Sequence, residues 1–534
     1  MNRRSFISSA QNDTFDICII GGGITGAGIL ANAVERGLKV ILVEKNDFAS
    51  GTSSRSSKMI HGGLRYLRYL QINLVREALM ERGHLLQIYP HLVKPLSFIL
   101  PSFNSELDML SKHLALIAYD KLAGKAMVHP HKRLNAAELV KELPGFLDKG
   151  LKGGMLFWDA YTNDALLTAD VLCDASMQGA VVLNYVQAAE FIKENNSVKT
   201  LVCKDLIGES EIKIKAKVYV NATGAWTDEI LEKLFGPSAK KMEPTKGVHL
   251  LIPSDRLPKT HAIAVLSTTG DKRFLYTLPW ENGLTILGST DTAYHQKPDE
   301  PDVTPEDIKY ILNAFNASFP DAKLTTDDIV SVYSGLRPLL NEKDEKDNYS
   351  RSREYQIWWS ENNFVNIAGG KLTSFLSMGK HCLEVIETKF KDLTGKKASS
   401  TNTKTYNGKW KASYGDKGAL IDDIIKENGA LIEPVSASWK YTKAEMIFFI
   451  RYQFAETLAD LLTRRATITY AMKDFDEELV RNLGGLMAKE LNKPEAWVAE
   501  QREKYYAHWL EYHPKLLQSI SATETGKGRM RVVN

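Results

Sequence analysis

The run Phe15-Asp16-Ile17-Cys18-Ile19-Ile20-Gly21-Gly22-Gly23-Ile24-Thr25-Gly26-Ala27-Gly28 decides the fold. Phe15 to Ile20 is a β-type apolar stretch, and the glycines that follow mark an abrupt turn. Ile24 to Arg36 reads as a helix closed by Gly37 in the C-cap position. Lys39 to Val43 predicts a second strand that ends on Glu44. This β-α-β unit opens a Rossmann-like domain, so the expected fold class is α/β.

Each glycine of Gly21-x-Gly23-x-x-Gly26 has a physical task in such a unit. Gly21 permits the tight turn, Gly23 lets backbone approach a pyrophosphate, and Gly26 lets the helix lie close on the sheet. Ile24 and Thr25 open a helix whose N–H groups and dipole favour phosphate. Glu44 is placed to accept from a ribose diol, and its charge disfavours a 2′-phosphate. The next segment, Thr52-Ser53-Ser54-Arg55-Ser56-Ser57-Lys58-Met59-Ile60-His61-Gly62-Gly63-Leu64-Arg65-Tyr66, is hydroxyl-rich and ends in paired glycines. It suits a flat ring laid against backbone better than the further helix of an NAD domain. Only one glycine fingerprint is present, so one dinucleotide, FAD, is expected as the sole redox centre.

Outward from this unit, 534 residues predict two or three domains. A net charge of +3, from 68 basic and 65 acidic residues, gives no support for nucleic-acid binding. Cys18, Cys173, Cys203 and Cys382 lie far apart, which argues against disulfides and zinc and fits a reducing cytosol. No stretch approaches the roughly 20 apolar residues of a membrane span. Met1 to Thr14 reads as a disordered leader, despite its superficial likeness to a twin-arginine signal. Lys396 to Lys404 resembles a linker. Helical patterns follow it, over Lys443 to Leu462 and Pro494 to Tyr512, and the last dozen residues are expected to fray.

The glycine turn together with Ser-Ser-Lys-x-Ile-His-Gly-Gly-Leu-Arg-Tyr resembles the FAD-dependent, quinone-linked glycerol-3-phosphate dehydrogenase family. Further blocks continue the resemblance in the family's order: Asn221-Ala222-Thr223-Gly224-Ala225-Trp226, Lys246-Gly247-Val248-His249, Gly288-Ser289-Thr290-Asp291, Tyr333 to Leu339, and Gly369-Gly370-Lys371-Leu372-Thr373. The resemblance implies a discontinuous FAD domain (15–95, 150–240 and 330–395), an α+β substrate domain (96–149 and 241–329) with an antiparallel sheet, and an all-α C-terminal cap (396–534). It implies flavin contacts at Thr52, Ser53, Ser54, Ser57, Lys58, His61, Gly62 and Gly63. Others are expected at Ala222, Thr223, Gly224, Gly335, Gly370, Leu372 and Thr373. The implied reaction takes sn-glycerol 3-phosphate to dihydroxyacetone phosphate and passes electrons to ubiquinone or menaquinone. It would run in a protein peripherally attached to the inner face of the cell membrane; a homodimer is left open.

A phosphate of charge near −2 calls for guanidinium or ammonium partners. Arg65, Arg353 and Lys371 are the candidates, with Tyr66 as a hydroxyl donor. Hydride loss from C2 calls for a base and for a cation beside the developing alkoxide. The resemblance puts His249 and Arg337 there, with His61 competing for a flavin-side or proton-transfer role. Read alone, His249 among Val248, Leu250 and Leu251 is better taken as a satisfied core histidine. The chain departs from the family at Ser374-Phe375-Leu376, where a tyrosine and an arginine are common. Leu107 to Lys125 fits either a core-facing or a bilayer-interface helix, and the family's habit favours the interface. Arg464-Arg465 and Lys527, Arg529 and Arg531 could add electrostatic attraction. The rival readings are an oxidase using dioxygen, an amino-acid oxidase or dehydrogenase of the same wider fold, and a flavin-binding module without catalysis.

Overall fold

The computed structural model describes residues 3–103, 105–237, 240–271, 273–299, 301–341, 354–393 and 405–513. Every residue from Phe15 to Ile20 is buried, so strand Thr14–Ile20 has no solvent face. That is the environment of a central parallel strand. It pairs in parallel with Val40–Val43 on one side and Ser210–Asn221 on the other. The main path of this eight-stranded sheet runs Tyr355–Glu361, Phe364–Gly369, Ser210–Asn221, Thr14–Ile20, Val40–Val43, Val181–Leu183, with only its first pair antiparallel, and Ser197–Asp205 and Val186–Glu194 extend Ser210–Asn221 as an antiparallel branch. Helices Ile24–Glu35, Asp164–Met177 and Phe375–Lys389 share one core with it, built on residues such as Ile17, Leu30, Leu167 and Phe375.

The second sheet has ten strands, antiparallel except where Ala262–Leu266 meets Val93–Ser102. Near one edge of it, Thr245–Pro253 is flanked by Leu284–Gly288 and Ser331–Arg337. Both the α/β class and the antiparallel second sheet are as expected. Sheet membership differs from the expected segment boundaries. Met59–Ile60, Gly153–Thr162 and Ser331–Arg337 fall in stretches assigned to the FAD domain, yet all three lie in the second sheet. Gly153–Thr162 matches Val93–Ser102 residue for residue, from Val93 opposite Thr162 to Ser102 opposite Gly153. A strand's sheet is set by its pairing partner rather than by its chain neighbours.

Residues 405–513 add a mostly helical unit with its own core, which includes Ile447, Phe448, Leu461 and Leu483; it departs from the expected all-α cap in a two-stranded antiparallel sheet of Pro434–Ser436 and Trp439–Thr442. Helix Glu495–Tyr512 lies where the sequence puts it. The helix expected over 443–462 stops at Tyr452; Phe454 has φ +60°, and a wider turn covers Asp460–Arg465. The cause is electrostatic and long-range. Arg465 reaches back to the Gln453 carbonyl (2.9 Å) and across to Asp47 (2.8 Å), while Arg464 binds both Asp47 and Asp460. Side chains of Asp47, Asp460 and Arg465 are fully buried, and Arg464 nearly so. Arg464 and Arg465 therefore form an interdomain ion cluster rather than a membrane-facing basic patch.

The leader is also corrected. Residues Arg3–Asn12 form a helix, with Ala10 in the core and Arg3 bound to Asp205 (2.6 Å) and to the Asn184 carbonyl (2.7 Å). The expected linker, the frayed end and the basic residues Lys527, Arg529 and Arg531 lie outside the described residues. Among the described residues no helix is long and apolar enough to cross a membrane.

Candidate active site

The ends of Thr14–Ile20, Val40–Val43 and Ser210–Asn221 meet at a cleft of about 1260 Å³ that includes open solvent. This is where a doubly wound sheet carries its ligand. Gly21 has φ +115°, and a Cβ there would stand 2.6 Å from the Ala222 carbonyl oxygen. A Cβ on Gly26 would collide with the Gly21 carbonyl oxygen. Gly21, Gly23, Ile24 and Thr25 line the cleft on one side, with Ala222, Thr223 and Gly224 opposite. Ser53 accepts from the Ile24 N–H (2.9 Å), so the hydroxyl-rich segment holds the helix N-terminus. Glu44 also lines the cleft, its oxygens held by the Gly22 N–H (2.7 Å) and the Asn46 N–H (2.9 Å). Burial pushes its carboxyl above the ordinary range, against those two hydrogen bonds. Thr52, Gly370, Lys371 and Leu372 line the far end, and Thr52 donates to the Leu336 carbonyl (2.7 Å).

Beyond the cleft, the segment 52–63 ties the two sheets together. Ser54 and Lys58 turn inward. Lys58 is 2% exposed, forms an ion pair with Asp164 (2.6 Å) and donates to the Ser54 carbonyl. Asp164 also accepts from the Ser56 hydroxyl (2.6 Å). The expected contact between Lys58 and a cofactor is thus a support for the loop. Ser57 faces the second sheet, its hydroxyl 3.1 Å from His249 Nε2. Thr373 clasps His61, accepting from its N–H (3.0 Å) and donating to its carbonyl (3.2 Å). Gly62 and Gly63 are buried, and Gly63 has φ +75°.

His249 and Arg337 share a face of the second sheet. His249 pairs with Tyr333 in the register and Thr245 with Arg337, and Gly247 opposite Gly335 lies between them. Having no side chain, Gly247 leaves room for the Arg337 guanidinium; a Cβ there would stand 2.7 Å from Nη2. Arg337 donates to Asp291 (3.0 Å), the Ser289 hydroxyl (2.8 Å) and the Thr290 carbonyl (2.9 Å). Gly335 lies against Arg55 rather than in the cleft. His249 stacks on Tyr333 with centroids 4.6 Å apart, and its buried Nδ1 has no hydrogen-bond partner. Burial, then the Arg337 and Lys58 charges, hold His249 well below the usual imidazole value.

Arg65, Tyr66 and Lys371 form a second group. Arg65 Nη2 lies 3.3 Å from the Tyr66 hydroxyl, and Lys371 Nζ sits 3.9 Å from the Tyr66 ring centroid. Ser57 belongs to the His249 group and His61 joins the Lys371 group through Thr373. Four residue steps lead from Ser57 to His61, so their Cα atoms are at most about 14 Å apart. Arg353 lies outside the described residues.

Residues 16–382 match the family model for FAD dependent oxidoreductases, and 391–501 match that for the C-terminal domain of alpha-glycerophosphate oxidase. The aerobic glycerol-3-phosphate dehydrogenase of Staphylococcus haemolyticus is 38% identical over 393 residues, covering 73% of this chain and 70% of the relative. Its Bacillus subtilis counterpart is 37% identical over the same shares. The chain belongs to the FAD-dependent glycerol-3-phosphate dehydrogenase family. The glycerol-3-phosphate dehydrogenase of Bacillus halodurans, solved in complex with FAD, superposes with a TM-score of 0.72 at 26% identity, covering 96% of this chain and 97% of that one. The L-alpha-glycerophosphate oxidase of Mycoplasma pneumoniae shares the fold, with a TM-score of 0.56 at 16% identity over 70% of this chain and 95% of that one.

FAD is therefore the cofactor, and the glycine cradle fits a dinucleotide. Sequence reasoning missed the other end of the cleft, where Val186, Gln187, Lys45, Glu229, Lys233 and the Trp226 indole contribute. Trp226 carried a signal, standing inside a family block. Val186 and Gln187 carried none, because an ordinary strand supplies them through its position. The departure at Ser374-Phe375-Leu376 is absorbed by packing. Phe375 is fully buried against Gly28, and the Leu376 carbonyl accepts from Asn32 (3.1 Å).

Proposed function

We propose that this chain oxidises sn-glycerol 3-phosphate at C2 to dihydroxyacetone phosphate and delivers the electrons to a membrane quinone, ubiquinone or menaquinone. The carrying observation is that Arg65, Tyr66 and Lys371 gather at one end of the 52–63 segment and His249 with Arg337 at the other. Bound FAD supplies a hydride acceptor at N5. Arg65 and Lys371 neutralise the phosphate, and Tyr66 donates to it. His249, kept neutral by its surroundings, takes the C2 hydroxyl proton, while the Arg337 guanidinium steadies the negative charge that develops on that oxygen. Asp291 and Ser289 fix the guanidinium for this task.

Membrane attachment is supported by one surface. Tyr69, Leu70 and Ile72 are 48%, 81% and 49% exposed, and Leu107, Leu110 and Leu114 are 76%, 48% and 56% exposed. They lie on adjoining elements, Leu64–Tyr69, Ile72–Ile88 and Glu106–Ala123, with Leu70 in the turn between the first two. Helix Glu106–Ala123 buries Met109, Leu116, Tyr119 and Ala123 as a core-facing helix does, and its outward leucines support the bilayer-interface reading. Large exposed apolar patches mark interaction surfaces, and nearby Arg68, Lys112 and Lys121 suit anionic lipid.

Anaerobic titration with sn-glycerol 3-phosphate tests the reaction. Bleaching of the flavin bands is expected, with reoxidation by added quinone. A flavin that stays yellow overturns the substrate, and rapid reoxidation by dioxygen with stoichiometric peroxide overturns the quinone.

A further inference from the structure

The His61-Gly62-Gly63 turn leads directly into Arg65 and Tyr66, and the Tyr66 N–H donates to the Gly63 carbonyl (2.9 Å). Thr373 secures the turn at His61. Its other support lies in neither group described above. The Gly62 N–H donates to Asp159 Oδ1 (3.3 Å) on strand Gly153–Thr162. Asp159 is 3% exposed and also accepts from Arg82 Nη1 (2.6 Å) and from the Tyr119 hydroxyl (2.9 and 2.8 Å to its two oxygens). Arg82, 1% exposed, donates further to the carbonyls of Trp158 (2.9 Å) and Ala126 (2.8 Å). A Cβ on Gly62 would stand 2.5 Å from the Tyr119 hydroxyl, so the turn is pressed against this network.

Burying an ion pair is a poor way to gain stability, since apolar replacements of equal volume often do as well. What an apolar replacement lacks is an acceptor for the Gly62 N–H. We propose that Asp159, clamped by Arg82 and Tyr119, is a positioning residue for the substrate cleft. It fixes the His61–Gly63 turn and so sets where Arg65 and Tyr66 stand. It contacts neither substrate nor flavin itself. This inference rests on the reading of Arg65 and Tyr66 as phosphate ligands.

Three variants of the FAD-loaded full chain test it: Asp159→Ala, Asp159→Asn and Tyr119→Phe. Asp159→Ala is expected to raise KM for glycerol 3-phosphate about tenfold, the effect of losing one buried hydrogen-bond acceptor, with a smaller change in kcat. Asp159→Asn keeps an oxygen for Gly62 and brings KM back to within about threefold of the unmutated protein. A lowered Tm with KM unchanged in Asp159→Ala means a merely structural role and overturns the proposal. Should Asp159→Ala fail to fold, Tyr119→Phe decides, because it leaves the Arg82–Asp159 pair in place: a raised KM supports the proposal and an unchanged one overturns it. Inorganic phosphate binding, followed through flavin absorbance, gives the same comparison without turnover. Failure of the substrate reading is thereby told apart from failure of this one.

Discussion

At the scale of single residues, His249 is governed by what surrounds it. Buried beside two cations, it holds a proton less readily than a free imidazole, whose ordinary value is 6.5. With the folded value below 6.5, the imidazole proposed as base stays neutral as pH falls through that point and charges only further down. The acid limb of kcat/KM is therefore expected below pH 6.5; a limb at or above it would assign the proton transfer elsewhere. Arg337→Ala removes the cation proposed to steady the reacting oxygen, and a loss of about a hundredfold or more in kcat is expected. The same variant should keep its flavin colour, because the cleft residues that cradle a dinucleotide do not include Arg337. His249 also shows where sequence reading stops. A histidine among Val248, Leu250 and Leu251 looks like core, and it is indeed 2% exposed. Its stacking on Tyr333 and its approach to Ser57 join positions far apart in the chain, which no local pattern reports.

At the scale of elements, the glycine turn was fully legible because its constraint is local: φ at Gly21 and the space at Gly26 follow from a strand entering a helix. Gly26→Val should yield a colourless protein, since the new side chain lands on the Gly21 carbonyl; absorbance of the purified variant checks this. The long helix expected over 443–462 was misread for the opposite reason. Its periodicity is helical throughout, but Asp47, some four hundred residues earlier, draws Arg464 and Arg465 inward and the chain bends to allow it. Sheet membership of Gly153–Thr162 was illegible for the same cause, a partner remote in sequence. For the apolar patch, Leu70→Asp with Leu107→Asp is expected to abolish sedimentation with anionic vesicles. Each leucine withdrawn contributes about 1.5–3 kcal/mol of burial, roughly tenfold or more in partition. Retained sedimentation would move the membrane contact elsewhere.

At the scale of the whole molecule, the C-terminal unit is joined to the dinucleotide domain by ion pairs, at Asp47 through Arg464 and Arg465 and at Asp170 and Asp174 through Lys417. Asp47 lies three residues after Glu44, and its carboxylate accepts from Arg464 (2.5 Å) and Arg465 (2.9 and 2.8 Å). Asn184 donates both to Asp47 (3.3 Å) and to the Phe454 carbonyl (2.8 Å), and Phe48 meets Phe454 edge to face at 5.5 Å. Asp47→Ala takes from Arg465 the carboxylate it binds and leaves Arg464 with Asp460 alone, and it is expected to destabilise by about 3–5 kcal/mol, read from a denaturation midpoint. Boundaries drawn from family matches, 382 and 391, place a seam between the two parts. Mechanically there is none: an anchor of the later part is embedded in the earlier one, three residues beyond Glu44. Grafting the C-terminal segment of a relative onto this flavin domain would succeed only if position 47 and its two arginines travel as a matched set.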